Sequence, residues 1–223
     1  MGSEAAPDTE FHLTGFKKFH NVAENPTETL VTRAMQYMKN NPLPYGTEIK
    51  TCTILETAGV GALDDLLGKF DEALLGKKNP AHNGGVLDGD KEVEASRQES
   101  PVVWIHLGVN SGATRFAVEQ RAVNEATFRC PDEMGWQPDH LPIVAEDGDI
   151  TAVRESKFAV GKIVCSLVNQ GFDVVVSNDA GRKADGIPLC SSQSCGVLQR
   201  VLIERTSHIL CFHLLPSALY RDC

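Results

Sequence analysis

Strand-like and helix-like segments alternate along this 223-residue chain, and the alternation predicts an α/β fold: three layers, α/β/α, around a mostly parallel central sheet. Two local observations support it. Val102 to Val109 is apolar almost without interruption, as a strand covered by helices on both faces must be. Asn25-Pro26-Thr27-Glu28 has the form of a helix start, with an N-cap Asn, a Pro at the first helical position and a Glu at the capping-box position.

The elements follow in order. Met1 to Glu10 is polar and acidic, lacks the basic start and apolar run of a secretory signal, and reads as a disordered tail. Phe11 to Phe16 is the first strand. Leu30, Val31, Ala34, Met35 and Met38 then fall on one face of a helix that Pro42 and Pro44 end. Glu48 to Leu55 has strand composition, and Leu63, Leu66, Leu67, Phe70 and Ala73 form a second helical stripe. Residues 76–100, rich in Gly, Asn and charge, read as a surface insertion. After the central strand, Phe116 to Asn124 reads as a strand and Val153 to Gln170 as a helix with Phe158, Ile163, Val164 and Leu167 facing inward. Phe172 to Ser177 reads as a buried strand, Gly196 to Arg205 as a last helix and His208 to Leu214 as a last strand. Residues 11–223 are thus expected to form one domain.

Composition narrows the function. The 21 basic and 30 acidic residues leave a net charge of -9, which argues against a nucleic-acid partner, since that affinity rests on a Lys/Arg field. No stretch approaches the roughly 18 apolar residues of a membrane-spanning helix, so a soluble, cytoplasmic protein is expected. Seven cysteines, an odd count at irregular spacing, are read as thiols in a reducing compartment, with Cys52, Cys130 and Cys165 as small core residues.

Sites in such folds lie beyond the carboxyl ends of the strands, so the loops after Phe16, Val109 and Ser177 are expected to converge. Three features sit there. Thr14-Gly15-Phe16-Lys17-Lys18-Phe19 combines a Gly suited to a tight turn with two aromatics three residues apart, which could equally be core packing. His106 to Thr114 puts small residues after a buried strand and runs on to Glu119, a carboxylate in a half-apolar stretch that either orients a histidine or faces solvent. Ser177-Asn178-Asp179-Ala180-Gly181-Arg182 packs polar residues into a strand exit.

Taken together, Thr14-Gly15-Phe16 with Phe19 and Asn25-Pro26-Thr27, the exit from His106 to Gly112, Val118-Glu119 with Ala122-Val123-Asn124, and Ser177 to Gly181 resemble the pyroglutamyl peptidase I (pyrrolidone-carboxylate peptidase) family. The likeness runs from about residue 11 to 182, keeps the motif order, and is closer to the eukaryotic branch. It implies a cysteine peptidase without cofactor that removes N-terminal pyroglutamate from peptides, with a homo-oligomer left open. By this resemblance Glu119 orients the catalytic histidine, Phe16 and Phe19 help wall the pocket for the flat, uncharged lactam, and Asn25 and Gly112 join them as substrate-binding positions.

The family's nucleophile position, three residues after Arg182, is Asp185 here. Pro188-Leu189-Cys190 can stand in for it after a five-residue extension. His213, in Cys211-Phe212-His213-Leu214-Leu215-Pro216, resembles the family's histidine strand, and its separation from Cys190, 213 minus 190 or 23 residues, is close to the family's spacing. The resemblance thus implies Cys190 as nucleophile and His213 as base. The alternative is that residues 183–223 are a divergent segment and the chain a catalytically impaired member. A zinc site in the same tail, from Cys190, Cys195, His208, Cys211, His213 and Cys223, lacks any Cys-x-x-Cys pair, and no metal is expected.

Overall fold

The computed structural model describes residues 9–18, 24–75, 101–110, 113–128, 130–178 and 209–214. The first strand, β1 (Thr9–Phe16), leads to helix α1 (Pro26–Asn40), strand β2 (Thr47–Leu55) and helix α2 (Gly59–Leu75). Strands β3 (Val102–Val109), β4 (Phe116–Glu119) and β5 (Arg121–Val123) follow, then a 3-10 turn (Ala145–Asp147), strand β6 (Val153–Glu155), helix α3 (Val160–Asn169), strand β7 (Val174–Ser177) and strand β8 (Ile209–Leu214). Six strands form one sheet in the order β2-β1-β3-β8-β4-β7, in which only the β4–β8 pairing is antiparallel. The architecture is the expected α/β type with a mostly parallel sheet.

Strand pleating assigns the two faces, because paired residues on neighbouring strands share a side. On one face Phe16, Leu55, Trp104 and Cys211 bury against Ala62, Leu66 and Phe70 of α2, and Trp104 stacks on both His12 and Phe70. On the other, Val118, Val174 and Leu210 pack against Val160 and Val164 of α3. Helix α1 lies on this second face, close enough that a Cβ on Gly15 would meet the Thr27 carbonyl oxygen at 2.8 Å and Val31 Cγ2 at 2.9 Å. Gly15 is therefore needed inside β1 for helix approach, and not for the tight turn expected of it.

Helix α1 starts where the sequence predicts. Asn25 caps it, accepting from Thr27 N at 3.0 Å, and Pro26 is its first residue. Its apolar stripe is only partly used, since Val31 is buried but Leu30 and Met35 are exposed. Other expectations are corrected. Phe116 to Asn124 is not one strand: it breaks at Gln120, where the chain leaves the main sheet and β5 pairs with β6 in a separate two-stranded ribbon. Val153 to Gln170 is not one helix, because Val153–Glu155 is that partner strand and the helix begins only at Val160. Between them Ser156 Oγ accepts from Phe158 N at 3.3 Å, a local side-chain turn that competes with helix.

The cysteines also differ from expectation. Cys130 is disulfide-bonded. Cys52, Cys165 and Cys211 are reduced, but Cys165 is exposed and Cys52 half-buried, which leaves Cys211 as the buried core thiol among the described residues. The expected insertion at 76–100 and helix at 196–205 lie outside the described residues.

Candidate functional site

The first expected site loop is held by a dense set of hydrogen bonds. Asn25 Nδ2 donates to the Lys17 carbonyl at 2.8 Å, and the Thr57 hydroxyl donates to the same oxygen at 2.8 Å. Thr27 Oγ1 accepts from Phe16 N at 2.9 Å, and the Asn25 carboxamide oxygen accepts from both the amide and the hydroxyl of Thr27. Asn25 is 2% exposed, and three of its four hydrogen-bonding positions are spent on this frame, leaving one Nδ2–H. Phe16, 1% exposed, lies beneath the loop with its ring edge-to-face on His106, centroids 5.1 Å apart. Lys17 pairs with Glu56 at 2.6 Å at the exposed rim, which raises the lysine's pKa.

Glu119 closes β4 and is 1% exposed, which settles the choice the sequence left open: it does not face solvent. Its register partners are Cys211 on β8 and Ser177 on β7. Cys211 pairs in turn with His106 on β3, and His106 with Thr14 on β1. Thr14, His106, Cys211, Glu119 and Ser177 thus form one transverse file across five strands, its first four members buried. The next paired positions along are Gly108, His213 and Ala117, so the backbone of His213 runs between two small residues, two positions from Cys211.

The exits do not all converge. Strands β4 and β7 run against β1, β3 and β8, so the chain leaves Ser177 in the opposite sense to its exits from Phe16 and Val109. Ser177 comes near the site through its register with Glu119, not through a shared strand end. Asn124, whose motif carried part of the resemblance, is buried and structural: it donates to Val144 O at 2.9 Å and accepts from Val144 N at 2.8 Å. Asp132 plays a similar part, accepting from Gly59 N at 2.7 Å at the start of α2 and from Met134 N and Trp136 N at 2.9 Å each. Phe19, Gly112 and Cys190 lie outside the described residues. Among the described residues, no group of three His, Cys, Asp or Glu side chains could hold a metal ion, and no helix is long and apolar enough to cross a membrane.

No family model matches the sequence, and no curated protein matches it. Solved structures do. A single-residue variant of pyrrolidone carboxyl peptidase from the hyperthermophile Pyrococcus furiosus superposes with a TM-score of 0.62 at 19% identity, covering 93% of this chain and 81% of that one. The pyrrolidone carboxyl peptidase of Thermococcus litoralis gives a TM-score of 0.63 at 20% identity, over 93% of this chain and 76% of that one. This chain has the pyrrolidone carboxyl peptidase fold. Within that fold the file from Thr14 to Ser177 crosses the sheet centre, and it contains His106, to which sequence reasoning gave no catalytic role, and Cys211, which it weighed only as a zinc donor. The signal for His106 was present, as a single polar side chain interrupting the apolar run from Val102 to Val109.

Proposed function

We propose that the chain is a cysteine-type omega peptidase that releases N-terminal pyroglutamate from peptides. The observation that carries this reading is the register of β4, β8 and β3: a fully buried carboxylate, Glu119, lies one strand over and two residues along from His213, on a pyrrolidone carboxyl peptidase fold. Diagonal neighbours of this kind have Cα atoms about 7–8 Å apart, within reach of long and aromatic side chains. Burying a carboxylate is costly unless it serves a partner, and orienting a basic histidine is such a service.

In the proposed reaction His213 takes the thiol proton of Cys190, and the thiolate attacks the carbonyl carbon of the pyroglutamyl residue. Backbone N–H groups hold the oxyanion. Collapse breaks the peptide bond, His213 returns its proton to the departing amine, and a thioester remains on Cys190. Water, deprotonated by His213, hydrolyses the thioester to pyroglutamate and restores the thiol. Glu119 holds the imidazole in one tautomer throughout. Phe16, Phe19 and Gly112 serve the lactam pocket, and Asn25 serves it by fixing the Lys17 carbonyl just beyond β1.

A second reading, a catalytically impaired protein on the same fold, is favoured by Asp185 at the position where the nucleophile is expected. Release of a fluorophore from a pyroglutamyl amide separates the two. Cys190→Ala should abolish turnover and Glu119→Gln should lower kcat by at least ~10²-fold. No turnover by a folded wild-type chain would establish the impaired reading instead.

A further inference from the structure

His106 is a buried, ionisable side chain to which the proposed reaction gives no task. It is fully buried, and Thr14 Oγ1 lies 2.5 Å from its Nδ1. Its other nitrogen, Nε2, is buried with no hydrogen-bond partner among the described residues. A buried imidazole nitrogen left without a partner is a cost that folding alone gives no reason to keep. The two nitrogens of an imidazole diverge at a wide angle, so anchoring Nδ1 to β1 turns Nε2 away from β1. Strand β8 lies on that side of β3.

The register makes the placement specific. Cys211 on β8 is paired with His106 on one side and with Glu119 on the other. His213, two residues on, is therefore the diagonal neighbour of both, one strand over and two residues along in each direction. The residues directly beside it are Gly108 and Ala117, which take up almost no side-chain space. Position 213 is thus flanked symmetrically by an acidic group on β4 and an imidazole on β3.

We infer that His106 is a positioning residue for His213, acting from β3 as Glu119 acts from β4, so that the base is held from two sides. This rests on the proposed role of His213 as the base. Thr14 and the ring of Phe16 fix the His106 ring, which leaves Nε2 as the nitrogen available on the side of β8.

Two substitutions separate this role from a purely structural one. His106→Asn keeps a polar atom near the Nδ1 position, and with it the bond to Thr14, but has nothing at Nε2. His106→Gln does the reverse. Both are examined by long-range proton–nitrogen spectra of the histidine rings in the full-length chain, with His213 assigned through His213→Gln. The expected result is that His106→Asn moves the His213 ring nitrogen signals while His106→Gln leaves them near wild type. In turnover, His106→Asn should lower kcat about tenfold or more with KM within twofold, and His106→Gln should recover to within about threefold. His213 signals unmoved by His106→Asn, or moved equally by both variants, would overturn the inference. The spectra need no turnover, so a folded but inactive wild type would defeat the peptidase reading while leaving this test in force.

Discussion

Replacing Asn25 by Ala tests the frame that ties the end of β1 to the start of α1. The change removes the N-cap acceptor for Thr27 N, and such substitutions cost about 1 kcal/mol. It also removes the Asn25 donor to the Lys17 carbonyl, but that oxygen keeps the Thr57 hydroxyl at 2.8 Å, so the loss is an ordinary net hydrogen bond of about 1 kcal/mol and not a buried orphan. The Thr27 hydroxyl loses its contact with Asn25 and falls back on the Phe16 carbonyl at 3.3 Å, a longer bond. The sum is about 2–3 kcal/mol, a large part of a typical domain's 5–15 kcal/mol, so roughly 1 M should be lost from the urea midpoint. Asn25→Ser keeps a capping oxygen for Thr27 N and loses the donor to the Lys17 carbonyl, so it should cost about 1 kcal/mol, near half as much. Equal losses in the two variants, or a midpoint shift below about 0.2 M for the Ala variant, would refute the capping account.

Three other outcomes are expected. Gly15→Ala should destabilise by about 1–3 kcal/mol in the same urea titration, because its methyl group would press on the Thr27 backbone, which cannot move without shifting α1. Asp132→Ala strands three backbone donors at the α2 start and the turn through Trp136, and should lower the melting temperature on the order of 10 °C by calorimetry. Among the described cysteines, timed alkylation followed by peptide mass mapping should label exposed Cys165 first. Cys52 should follow more slowly, since burial raises its pKa and depletes the thiolate, Cys211 only on unfolding, and Cys130 only after reduction.

Local chemistry made much of the fold legible. Asn25-Pro26-Thr27-Glu28 marked the start of α1 to the residue, because a cap is written within four positions, and the apolar run of Val102 to Val109 marked a strand covered on both faces. Strand direction was not legible. Phe116–Glu119 and Val174–Ser177 read as strands, but nothing in a short apolar run says whether it pairs parallel or antiparallel, so the reversed sense of β4 and β7 was missed. The same holds for β6, whose three residues are strand only because β5 lies beside them, and for Cys130, whose crosslink depends on a distant partner. In the candidate site, Glu119 stood out as a carboxylate in apolar surroundings. His106 did not, because its relation to His213 exists only once β3 and β8 are in register.

The outer strand β2 carries a further consequence. Phe11 pairs with Ile49 and His12 with Thr51, so Lys50 is an extra residue that bulges from the strand, and its ammonium lies 2.7 Å from Glu48. An edge interrupted in this way, with a cation set on the bulge, is a poor template for another chain to extend. Removing Lys50 would regularise the ladder and strip that guard in one step. The consequence would be colloidal: a variant that folds as the parent does but comes out of solution at concentrations the parent tolerates.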